Sequence, residues 1–279
     1  MGEVHKAIEF YEGQLVIARE IGDRRSEGQT LGNLGNAYAD LGEVRKGIQF
    51  YEQALVIDRE TGDRQGQGQD LGNLGLAYAD LGETRKAIQF YEQWLAIASE
   101  IGDRRGEGQA LGNLGNTYAD LGEGRKAIKF HQQALIIASE TGDRRGEGNV
   151  LVNLGNAHYS LGEVRTAMEF HEQGLIIARQ INDRRGEGNA SGKLGIAYAT
   201  LGEVDKAIRF YEGQLAIARE IGDRRDEGNA LFNMGLALYG LEEKDQAFDL
   251  VKQALEIYEA IESPTAEKAR MKLKEWGAL

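Results

Sequence analysis

The chain has 279 residues, a net charge of −12 and no cysteine. That balance disfavours nucleic acid and anionic membranes as partners, because their binders concentrate Lys and Arg on one face; its bland reading is the solubility of a long surface. No disulfide framework or thiolate metal site is possible, and no apolar run approaches the roughly 18 residues of a membrane span. The N-terminus lacks a basic-then-apolar signal pattern, so a cytoplasmic location is expected.

In chain order, residues 1–22 read as one helix. Met1-Gly2-Glu3-Val4 matches Leu41-Gly42-Glu43-Val44 forty residues later, so this helix corresponds to the second helix of a repeating unit. Next comes Leu31-Gly-Asn-Leu-Gly-Asn-Ala-Tyr38, then Leu71-Gly-Asn-Leu-Gly-Leu-Ala-Tyr78 and Leu111-Gly-Asn-Leu-Gly-Asn-Thr-Tyr118, at a spacing of 40. The same register carries Leu151 and Leu231, and Leu194 at the Leu34 position. A fixed period in this range means stacked units, each unable to bury its apolar face alone.

Residues 24–62 show how one unit is built. Leu31, Leu34, Gly35, Tyr38 and Leu41 fall on one face of a helix A. Gly42 ends it and a helix B begins near Glu43, with Ile48, Tyr51, Leu55 and Ile57 as its apolar set. Gly62 ends helix B, and Asp63 is suited to cap the next helix A. Where the other units carry glycine before this aspartate, one carries Asn182, the next most tolerant residue for a left-handed turn. Six such pairs are expected, at 24–62, 64–102, 104–142, 144–182, 184–222 and 224–262. Ser263-Pro264 then starts a charged capping helix within 263–279.

The pattern Leu31-x-x-Leu34-Gly35-x-x-Tyr38, followed by Gly47 (Ala87 in the next unit), Tyr51 and Ala54, resembles the tetratricopeptide repeat signature. The unit is longer than the family's, and it is similar to the Partner-of-Inscuteable type and, less closely, to kinesin light chain. The resemblance implies an all-α, right-handed superhelical solenoid of antiparallel helix pairs. It also implies a single non-enzymatic domain that binds a protein or peptide segment, with the A helices lining a concave groove. The Trp of the family pattern is replaced by Leu31. The Lys that a carboxylate clamp needs is replaced by Gly32, Gly72 and Gly112, so that activity is not expected.

A second face of helix A is polar. Its stripe runs through Gln29, Asn33 and Asn36, then Gln69 and Asn73, then Gln109, Asn113 and Asn116, then Asn149, Asn153 and Asn156. Asn189, Lys193, Asn229 and Asn233 continue it, and Arg25, Arg105 and Arg145 extend it by one turn. Carboxamides donate and accept on one short side chain, which suits pairing with a peptide main chain whatever its sequence. The competing reading is hydrogen bonding between neighbouring A helices. Ile196, Phe232 and Leu236 interrupt the stripe and point to a more apolar end. The expected partner segment is polar or acidic near the arginines.

Residues 3–21 raise a further expectation. With no helix A before them, Ile8, Tyr11, Leu15 and Ala18 would be exposed, consistent with a fragment of a longer array or with homodimerisation. Catalysis is not expected, since most polar residues recur in every unit, and no cofactor or metal is implied. Gly186-x-Gly188 with Gly192-Lys193 lacks the spacing and the hydroxyl residue of a phosphate loop. His131 and His171 stand at the Tyr51 position and His158 at the Tyr38 position. They read as aromatic replacements, with a metal or pH-sensitive site as the alternative.

Overall fold

The computed structural model describes residues 2–278. Helix α1 spans Gly2–Ile21. Six pairs follow: α2 (Arg24–Asp40) with α3 (Val44–Thr61), α4 (Arg64–Asp80) with α5 (Thr84–Ile101), α6 (Arg104–Asp120) with α7 (Gly124–Thr141), α8 (Arg144–Ser160) with α9 (Val164–Gln180), α10 (Arg184–Thr200) with α11 (Val204–Ile221), and α12 (Arg224–Gly240) with α13 (Lys244–Ala260). Helix α14 (Thr265–Glu275) comes last, and no strand occurs among the described residues.

The chain divides into two compact units, Met1–Thr141 and Gly142–Leu279. Within each, a helix packs on its neighbours in sequence, and each A helix also touches the next A helix. The turns are those the sequence implies. Gly62 takes φ 72° and Asn182 takes φ 55°, so the asparagine keeps the left-handed backbone that glycine supplies elsewhere. Asp63 caps α4 by accepting a hydrogen bond from the Gly66 amide at 2.9 Å.

The glycine that follows Leu34, Leu74, Leu114, Leu154 and Leu194 has a packing cause. A Cβ on Gly35 would lie 2.4 Å from the Tyr51 ring, so only glycine lets helix B bring its aromatic residue this close. Gly115 stands in the same relation to His131, and Gly155 to His171. Each glycine costs roughly 0.5–1 kcal/mol in an isolated helix. Burial of the Tyr51 ring in one cluster with Leu71 and Leu74, which have almost no exposure, offsets it. A second aromatic layer stacks Tyr38 on Phe50 at 5.3 Å, and His158 takes the tyrosine's place on Phe170 at 5.2 Å.

The first helix departs from expectation. Ile8, Leu15 and Ala18 are buried and Tyr11 half-buried, because this face of α1 packs against α2. The exposed large apolar residues of α1 are instead Phe10 (62%), Val16 (55%), Ile17 (58%) and Ile21 (70%). In α3 the matching Phe50 stacks on Tyr38 and the matching Ile57 lies under Gly28 of its own helix A. Among the described residues α1 has no such helix before it, so these positions remain uncovered.

Candidate functional site

The glycines that bring helices together also leave space between successive A helices. In the first unit, α2, α3 and α4 enclose a recess of about 390 Å³. Gln29, Asn33, Asn36, Gln69, Asn73 and Arg25 line it, as does the floor formed by Gly28, Gly32 and Gly66. A second recess of about 320 Å³, at α4, α5 and α6, is lined by Gln69, Arg105 and Gln109 and partly closed by Trp94. Asn113 and Asn116 lie further along α6, half-buried and exposed respectively. In the second unit Arg145, Asn149 and Asn189 line a recess of only about 20 Å³. Asn153, Asn156, Lys193, Asn229 and Asn233 are half-buried on their A helices.

In the first unit Arg25, Gln29, Asn33, Asn36, Gln69 and Asn73 thus share one recess, and some members of the stripe also serve the fold. Asn36 accepts a hydrogen bond from the Tyr51 hydroxyl at 2.8 Å, and Asn229 accepts one from Tyr258 at 2.9 Å. The arginines are engaged too. Arg25 reaches Asp63 at 3.7 Å and Arg145 reaches Asp183 at 3.3 Å, each meeting the carboxylate that caps the next helix A. The arginines of these pairs are solvent-exposed and the aspartates half-buried, so each pair contributes about 0–1 kcal/mol. Phe232 is not a groove residue: it is buried against Tyr258 in the core, while Ile196 and Leu236 are half-buried.

A column the sequence reading missed runs beside the stripe. Arg24 pairs with Glu27 on its own helix and with Glu60 on the partner helix B. Arg64–Glu100, Arg104–Glu140 and Arg184–Glu220 repeat the cross-pair contact, with Gln180 taking the carboxylate's place opposite Arg144. The signal is the arginine that directly follows each capping aspartate, and except at Arg64-Gln65 a second arginine beside it hides which of the two faces helix B.

The histidines are not gathered. Burial holds His131 down to about 4 and, with Lys193 nearby, His171 to about 4 as well, so both are neutral packing groups near pH 7. Among the described residues no three or more His, Cys, Asp or Glu side chains are placed to hold a metal ion. No helix there is long and apolar enough to cross a membrane.

Two buried acids distinguish the first recess. Asp58 on α3 and Asp70 on α4 both line it and are only 6% and 5% exposed. One oxygen of Asp70, Oδ2, has no hydrogen-bond partner. Burial first, then the carboxylates of Asp58 and Asp63, raise Asp70 to about 8; burial and Asp63 raise Asp58 to about 6.

Helix hairpins stacked on their neighbours, with carboxamide-lined recesses between successive A helices, define an α-helical repeat protein. The Tetratricopeptide repeat family profile matches residues 26–100, 106–180 and 187–260. The chain belongs to that family, whose repeats mediate protein–protein interaction. Comparison with curated proteins by sequence finds no match. Solved structures share the fold. The tetratricopeptide-sensor STAND ATPase of Pyrococcus horikoshii superposes with a TM-score of 0.75 at 20% identity, over 90% of this chain and 39% of that one. A Rap protein complexed with Competence and Sporulation Factor gives 0.65 at 17%, over 98% and 85%. The nearly identical repeats of a Podosopora anserina putative kinesin light chain give 0.60 at 20%, over 70% and 96%.

Proposed function

We propose that the chain is a non-enzymatic, cytoplasmic scaffold that holds an extended segment of another protein along its A helices. The carboxamides pair with the segment's main chain. The observation that carries this reading is the convergence of Gln29, Asn33, Asn36, Gln69 and Asn73 on one recess. Family membership supports it, as does the Rap protein's complex with a factor bound to that protein. Arg105, exposed at the second recess, favours an acidic side chain at that point of the segment. Ile196 and Leu236 favour apolar ones where the stripe is broken. The test is selection of binders from a random peptide library, followed by N-methylation of their backbone amides. Binding should fall on N-methylation and on Asn33→Ala with Asn73→Ala or Asn113→Ala. Affinity indifferent to both changes removes the ladder from the mechanism.

A second reading is self-association through residues 3–21. It is favoured by the exposed face of Phe10, Ile17 and Ile21 rather than by Ile8, Tyr11 and Leu15. Light scattering should then report a dimer that Phe10→Asp with Ile17→Asp dissolves. A monomer at high concentration ends this reading.

A further inference from the structure

We propose that the recess enclosed by α2, α3 and α4 seats the guanidinium of an arginine presented by the bound segment. This rests on the groove reading above and adds the chemistry of one partner side chain. The carboxylates that carry it do not belong to the repeat. At the Asp58 position the next four pairs have Ala98, Ala138, Ala178 and Ala218. At the Asp70 position the later A helices have Ala110, Val150, Ala190 and Ala230. Both departures fall in one recess, and alanine at their sites in other pairs shows that the fold does not require them.

The arrangement suits a cationic side chain. Asp70 Oδ2 is buried, without a hydrogen-bond partner, in the wall of a recess of about 390 Å³. The floor glycines admit the carboxylates: a Cβ would stand 2.9 Å from Asp58 Oδ1 at Gly28 and 3.3 Å from Asp70 Oδ1 at Gly32. The third acid, Asp63, is already held by Arg25 and by the Gly66 amide. Uncompensated buried carboxylates are costly, and a cation from outside removes that cost. In its absence Asp70 keeps its proton, in line with its raised value of about 8.

A guanidinium fits better than a metal ion or an ammonium. Its planar fork offers five donors, enough for two separated carboxylates and the carboxamide oxygens of Asn33 and Asn73 at the same recess. No set of three metal-ligating side chains is present among the described residues.

The experiment is an NMR titration of the full chain with N-acetyl-arginine-N-methylamide, alongside its citrulline and lysine counterparts. Arginine should give saturable shifts at the Gly32 and Gly66 amides and at the Asn33 and Asn73 side chains. Citrulline, the neutral isostere, and lysine should each bind about tenfold or more weakly, the scale of a lost charge-assisted hydrogen bond. Asp58→Ala with Asp70→Ala should weaken arginine binding equally while circular dichroism is unchanged. Equal binding of citrulline or lysine, or arginine binding retained by the double variant, overturns the proposal. If no arginine response is seen while library peptides still lose affinity on Asn113→Ala, the arginine seat falls and the groove stands. If those peptides are also indifferent, both fall.

Discussion

The recess at α2 and α4 and its counterpart at α8 and α10 sit at the same place in their pairs, yet they enclose about 390 Å³ and about 20 Å³. Carboxamides line both. The difference lies on the floor. Val152 stands in the second where the first has Gly32, and it fills the space so closely that a Cβ on Gly174 would stand 2.8 Å from it. Asp58 and Asp70 are replaced by Ala178 and Ala190. A repeated backbone with a repeated polar stripe is therefore individualised from beneath, by small residues that open or close the space under the stripe. Trp94 against Gly72 and Gln214 against Gly192 are other fillings of the same column.

What the two regions share should be the hardest to perturb. Gly35→Ala and Gly155→Ala drive a Cβ into Tyr51 and His171, and each should cost about 3 kcal/mol in urea unfolding, the upper end for overpacking. Tolerance at one site alone would break the equivalence of the two pairs. Their difference in charge should appear next. Asp70 is raised in the folded chain, so the unfolded chain ionises first as pH rises. Stability is then full below about pH 4 and declines until about pH 8. Asp70→Ala should remove the part of that decline above about pH 6, leaving the smaller one due to Asp58, and gain about 2 kcal/mol at pH 8. Ala190→Asp should import the same slope into the second unit, and a flat profile there would show that the first recess is special for another reason.

The buried histidines act with the opposite sign. His131 and His171 are held near 4, so their contribution is present above the unfolded value of 6.5 and is lost as pH falls toward 4. Thermal melts at about pH 5.5 should show a loss of about 1 kcal/mol per histidine, which His131→Tyr relieves in the first unit alone. The smallest effect is expected where the floor is open. A Cβ on Gly112 meets nothing within 4 Å, so Gly112→Ala should stabilise by about 0.5–1 kcal/mol. A destabilised variant would mean that this stretch of floor is not open.

The helices and their ends were legible from residues alone, because Gly62, Asn182 and Asp63 each meet a local backbone demand. The polar stripe was legible for the same reason: a helical period places its members on one side. The pairing of Arg25 with Asp63 was not, since both residues had separate local explanations and met only through packing of α2 on α4. The face of α1 was misjudged because each helix B has two neighbours, and Ile8 and Leu15 serve the one that follows. In the sequence Asp58 and Asp70 stand out only as departures from the alanines of most later pairs. Their meaning depends on proximity across two helices, which no spacing along the chain expresses.

The alternation of open and filled floor also bears on alignment. A track of identical rungs has no origin, and a strand lying on it could slip by one rung and lose nothing. Two carboxylates placed at one rung end that degeneracy. A segment that anchors there is read in a single frame, and every other residue it carries is then matched to its own rung.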